Sequence, residues 1–88
     1  MKIRINQFLE GGGVQIPPAD YWVSLRPDLS EITLSAGGRD IRVKAVKRRQ
    51  TGRKKTLDVQ YYKGGGTQWT LVVSTPKHGE WVALLEAI

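Results

Sequence analysis

No cysteine occurs anywhere in the 88 residues, and histidine occurs once, as His78. The first absence excludes disulfides and thiolate metal ligands, and with the second it leaves no expected zinc site. Small domains are commonly reinforced by disulfides, metals or self-association. Good packing or self-association remains here, and a homodimer is expected. No apolar run approaches the ~20 residues of a membrane-spanning helix, so no membrane partner is expected. Met1-Lys2-Ile3-Arg4-Ile5-Asn6 alternates polar and apolar residues where a secretory signal would carry an apolar block. The expected location is intracellular, in cytoplasm or nucleoid, or in the nucleus of a eukaryote. Catalytic equipment is scarce as well. There is no Gly-x-Ser-x-Gly, no histidine pair and no cysteine nucleophile, and the eight carboxylates are scattered. The glycine triplets at 11–13 and 64–66 lack the following Lys-Ser/Thr of a phosphate-gripping loop. The expectation is therefore no enzyme, no cofactor and no metal.

Positive charge is abundant, and it is concentrated. Nine of the fourteen Lys and Arg fall between Arg39 and Lys55 against one acid, Asp40, so this stretch carries +8 while the other seventy-one residues sum to −2. At its tip, Lys47-Arg48-Arg49-Gln50-Thr51-Gly52-Arg53-Lys54-Lys55 repels itself, and an anionic partner relieves that repulsion. Nucleic acid is the commonest such partner. A solvated loop that keeps the chain soluble, or an arm that meets an acidic protein, would carry the same charge.

The dominant hydrophobic period is two, the period of strands. Ile3, Ile5 and Leu9 share one face of the first strand, opposite Lys2, Arg4, Asn6 and Phe8. Tyr21, Val23 and Leu25 form a second apolar row, opposite Trp22 and Ser24. Ile32 and Leu34 lead into a turn at Ala36-Gly37-Gly38, after which Ile41, Val43 and Ala45 turn inward and Arg42 and Lys44 outward. The basic tip is expected as the loop of a long hairpin over 39–62. Tyr61 and Val59 alternate with Tyr62, Gln60 and Asp58, then Lys63-Gly64-Gly65-Gly66 turns into a strand of Trp69, Leu71 and Val73. Pro17-Pro18 stops pairing after Val14-Gln15-Ile16. At the end, Trp81, Leu84, Leu85 and Ile88 fall at i, i+3, i+4 and i+7, which predicts a helix over about 76–88 with Thr75 as its cap and Pro76 in its first turn. The expected fold is one mostly-β domain over 1–88: an antiparallel twisted sheet of five to six strands, open or closed into a small barrel, packed on one C-terminal helix. Phe8-Leu9-Glu10-Gly11-Gly12-Gly13-Val14-Gln15-Ile16 and Tyr61-Tyr62-Lys63-Gly64-Gly65-Gly66-Thr67-Gln68-Trp69 share a frame that either a duplicated hairpin or common turn chemistry produces.

Strand parity also names a binding face. The outward positions carry cations or rings: Lys2, Arg4 and Phe8, then Trp22, then Arg42 and Lys44, then Tyr62. Cations that track phosphates and rings that stack bases are the equipment for holding a single strand. The expected contact set adds Lys47, Arg48, Arg49, Arg53, Lys54 and Lys55 from the tip. The competing reading packs Phe8, Trp22 and Tyr62 beneath a loop, the helix or a second subunit. Trp69 and Trp81 follow the apolar period and are expected in the core.

Leu57-Asp58-Val59-Gln60-Tyr61-Tyr62-Lys63, a glycine turn, Val72-Val73-Ser74 and Glu80-Trp81-Val82-Ala83-Leu84-Leu85-Glu86-Ala87-Ile88 together resemble the single-strand-binding transcriptional coactivators of the positive-cofactor-four type. The likeness covers residues 57–88, and Gln68-Trp69-Thr70 stands where that family places a Lys-Gly pair. The resemblance implies a curved antiparallel sheet, a C-terminal helix that builds a homodimer, and single-stranded DNA lying on the sheet.

The sequence therefore favours a non-enzymatic, sequence-tolerant nucleic-acid-binding protein of transcription or replication, single-stranded DNA first, with RNA or duplex DNA as further ligands. One alternative is a small interaction or inhibitor protein, such as phages encode, whose basic arm docks on an acidic protein. Another is an RNA-binding or ribosome-associated domain.

Overall fold

The computed structural model describes residues 1–49 and 56–88. Arg53, Lys54 and Lys55 of the basic tip lie outside the described residues. Ten strands form two antiparallel sheets. The four-stranded sheet runs in the order β1 (Lys2–Ile5), β4 (Ala19–Arg26), β5 (Glu31–Ala36), β6 (Arg39–Lys44). The other sheet has the order β3 (Val14–Ile16), β2 (Leu9–Gly11), β10 (Gly79–Ala87), β9 (Gln68–Thr75), β8 (Asp58–Lys63), with β7 (Val46–Arg48) also paired to β10. β9 lines one edge of β10 along its length, so β7 and β2 share the opposite edge, β7 beside Glu80–Val82 and β2 beside Glu86 and Ala87.

Alternation explains most of this. Ile5, Tyr21, Val23, Ile32, Leu34 and Val43 from the first sheet meet Leu9, Leu71, Val73, Trp81 and Leu85 from the second in one core. The inward parity expected for Ile5, Tyr21, Val23, Ile32, Leu34, Val43, Leu71 and Val73 is the parity observed, while Leu9, expected on one strand with Ile3 and Ile5, lies on a separate strand of the other sheet. Trp81 is buried as expected, and Trp69 is half-buried against the core, stacked on Tyr61 at a centroid distance of 4.8 Å. Turns fall at the glycines. Gly12 and Gly13 (φ 56° and 84°) close β2–β3, and Gly37 and Gly38 (φ 57° and 78°) close β5–β6. Paired positive φ values are what two-residue hairpin loops with the sheet's twist require. The triplet at 64–66 closes β8–β9.

Three short segments carry the chain between sheets, and each has a local cause. Residues 6–8 link β1 to β2. Pro17 and Pro18, which offer no N–H, end β3 and redirect the chain to β4. The Tyr21 hydroxyl donates to the Pro17 carbonyl and ties that corner. At Ala45 the chain leaves β6, its N–H donating to the Ser30 carbonyl beside the 3-10 turn Pro27–Leu29, and β7 then joins β10.

Two expectations are corrected. The C-terminal segment is a strand, and the 3-10 turn is the only helical piece among the described residues. The segment 81–88 is apolar at every position but Glu86, so helical and strand periods both fit it. Pairing decides between them: eight residues of β10 form a ladder with β9, whereas an isolated helix of this length is marginal. Thr75 and Pro76 serve a turn in place of a helix start. The Thr75 hydroxyl accepts from the His78 N–H, and Gly79 adopts φ 80°. The single sheet backed by a helix is thus replaced by two sheets backing each other. The basic hairpin is corrected as well. β7 and β8 flank residues 50–55, yet β7 pairs with β10 and β8 with β9.

Candidate nucleic-acid interface

The register assembles the outer face of the four-stranded sheet row by row. Lys2, Trp22, Ser35 and Asp40 align across β1, β4, β5 and β6. The next row is Ser24, Thr33 and Arg42, and the one beyond it Arg26, Glu31 and Lys44. On the other side of the tryptophan, Arg4 faces Asp20. Trp22 is 60% exposed at the middle of this face, and the Lys2 ammonium lies 5.6 Å from its ring centroid, within cation–π range.

The cations on this face differ in how firmly they are held. Arg4 donates through Nε and a terminal nitrogen to both oxygens of Asp20, at 2.8 and 3.2 Å. That hydrogen bonding holds the Asp20 carboxyl below its ordinary range and raises the guanidinium further. Lys44 is only loosely paired, its ammonium 4.0 Å from Glu31 and mostly exposed. Arg42 forms no ion pair among the described residues. Asp40, the one acid of the basic stretch, accepts from the Ser35 hydroxyl at 2.7 Å.

Parity continues through the sheet crossing. Arg42, Lys44, Val46 and Arg48 all point outward, so one bent strand carries the basic ridge from the first sheet's outer face to the second's. Arg48 donates to Glu80, which raises its pKa, and Tyr62 lies close enough to add to the effect. Lys47, of opposite parity, runs its stem beside Gly79. Arg49 is exposed just beyond β7.

The expected residues therefore do not form a single face. Lys2, Arg4, Trp22, Arg42 and Lys44 come together on the four-stranded sheet. Tyr62, 45% exposed, and Arg48 belong to the outer face of the second sheet, directed away from the first. Phe8, 54% exposed, sits at the corner between β1 and β2. Period two separates core from surface, but it does not tell one outer surface from another. Arg26, which extends the row of Trp22 and Ser24, was missed although the same parity marks it. Asp40 comes beside the tryptophan through register and left no sequence signal, whereas Asp20 is marked by the same parity as Trp22 on β4.

The face can stack and can neutralise phosphates. Among the described residues no three His, Asp or Glu side chains gather where they could hold a metal ion, and no helix is long and apolar enough to cross a membrane. Compared with known proteins, the chain matches no family model, no curated relative and no solved structure.

Proposed function

We propose that this chain is a non-enzymatic, sequence-tolerant nucleic-acid-binding protein that prefers single strands and uses the outer face of its four-stranded sheet. The observation that carries the reading is Trp22, a large ring left open at mid-sheet with Lys2 against it and Arg42 and Lys44 on the same face. A base stacked on such a ring contributes ~1–3 kcal/mol whatever its identity, while the surrounding cations follow the phosphates. The ridge from Arg42 to Arg48 extends the positive track around the edge. Among the described residues no helix presents a basic face to a groove, so base-specific reading of a duplex is not part of the proposal. The resemblance to the positive-cofactor-four proteins bears on the ligand alone, because the helix it implies is a strand here. Tyr62 is left out of this platform, and Arg4, committed to Asp20, acts as a strut more than a phosphate contact.

A fluorescence-anisotropy titration with matched dT, duplex and RNA oligomers at two salt concentrations tests this. The single strand is expected to bind most tightly and to quench the tryptophan emission that Trp22→Phe removes. If Trp22→Ala bound dT as its parent does, the stacking platform would be wrong. If no oligomer bound at low salt, the acidic-protein partner would become the better reading.

A further inference from the structure

The outer face of the second sheet carries an exposed apolar patch in its middle, on β7 and β10, while the β9 positions Thr70, Val72 and Ser74 on the same face are already covered within the chain. Its rows run Glu10, Glu86, Gln68; then Leu84, Thr70, Tyr62; then Val46, Val82, Val72, Gln60; then Arg48, Glu80, Ser74, Asp58. Leu84 is 60% exposed and Val46 72%, side by side with Val82 in the middle of the face. At one end Glu10 and Glu86 are direct cross-strand neighbours, an arrangement that like charges make unfavourable. At the other end stands Arg48, with Arg49 next to it.

We propose that this face is a self-association surface that receives a second copy of the chain. A two-fold axis lying in the interface, across the strands between Val82 and Leu84, reverses the strand direction and exchanges the two ends. Leu84 of each copy then falls on Val82 and Val46 of the other. Because β7 and β2 share one edge of β10, the same rotation sets Arg48 over Glu10 of the second copy. One patch is complementary to itself, as an isologous interface requires. The Arg48 guanidinium bonds Glu80 through Nε and also lies against Tyr62, and a guanidinium has enough N–H donors to reach a carboxylate of the second copy as well. Strand spacings give the face a footprint of roughly 500 Å² per copy, below the ~800 Å² of a standard interface, so the dimer should dissociate on dilution. The apolar patch lies on the face directed away from Trp22, while Arg48, the end of the positive ridge, is shared with the nucleic-acid reading.

Sedimentation velocity on the full chain from about 1 to 500 μM, a span centred on the affinities of small interfaces, tests it. The parent is expected to move from monomer to dimer. Leu84→Lys, at an exposed site and with its fold checked by circular dichroism, should stay monomeric, and Glu10→Lys should raise the dissociation constant about tenfold or more. Glu10→Arg mixed with Arg48→Gln should associate better than Glu10→Arg alone, because the mixture relieves the repulsion between Arg48 and the guanidinium introduced on β2. A parent that remains monomeric at the highest concentration overturns the proposal. So does a Leu84→Lys variant that dimerises like its parent, since association would then use another surface.

Discussion

Trp22 and Asp20 are two residues apart on β4 and share a face, yet they do opposite things. Trp22 keeps most of its ring in solvent, so its removal should cost little stability. Trp22→Ala is expected to weaken dT binding by about 5- to 150-fold, the equivalent of ~1–3 kcal/mol of stacking, with thermal melting nearly unchanged. Anisotropy and a melting curve on the same preparation check both halves. Asp20 is bound to Arg4 and titrates below its ordinary range in the folded state. Its folded pKa is depressed, so its stabilisation is present above the unfolded value of ~3.9 and is lost as pH falls through the lower folded value. Melting temperatures of Asp20→Asn and parent should therefore differ at neutral pH and converge in strong acid. A constant gap down to the lowest pH would show that the ion pair contributes nothing.

Strand β10 shows what pairing does to an ambiguous segment. Leu84 and Leu85 belong to one helical face, but in the strand they point to opposite sides, Leu85 into the core and Leu84 out. Leu85→Ala should cost ~2–5 kcal/mol in chemical denaturation, and Leu84→Ala less than about 0.5 kcal/mol in the monomer. Equal losses at the two positions would restore the helix. Gly11 supplies a second test of the same packing. A Cβ built there would lie 2.6 Å from a Leu85 methyl carbon, so Gly11→Ala must displace a buried side chain and should cost ~1–3 kcal/mol. In Gly11→Ala, Leu85→Val should recover part of that loss by making room.

At the scale of the molecule, the two sheets differ in the chemistry of their outer faces. The first offers a ring and cations; the second offers aliphatic side chains between charges of opposite sign. Salt dependence separates them. Replacing Lys2, Arg26, Arg42 and Lys44 together with Ala should lower the slope of log affinity against log salt by about 0.7 for each phosphate that is no longer neutralised. The same replacement should leave the monomer–dimer midpoint shifted far less than Leu84→Lys does. A dimer joined through the second sheet leaves both tryptophan faces outward, which suits the holding of two separate strands. If the quadruple variant kept the full salt slope, the charge on this face would not be touching the ligand.

Much of the molecule was legible because burial here follows parity. Ile5, Leu34 and Val43 alternate with polar neighbours, and only one backbone state puts alternate residues on one side; β9 departs from this, being buried at every position from Thr70 to Ser74. Glycines 12–13 and 37–38 marked turns because few other residues accept their backbone angles, and the paired prolines marked a break because they cannot donate to a ladder. The segment 81–88 offered no such contrast, since nearly every residue in it is apolar.

By itself the sequence determined which side chains leave solvent, where the chain turns and where its positive charge collects, because these depend on neighbours a few residues apart. Only the tertiary structure decided that Trp22 and Tyr62 look in opposite directions, that β10 lies between β9 and the pair β7 and β2, and that Glu10 stands beside Glu86. Those relations join residues far apart in the chain. They come from the choice of strand partners, which is made by the burial of two sheets against each other.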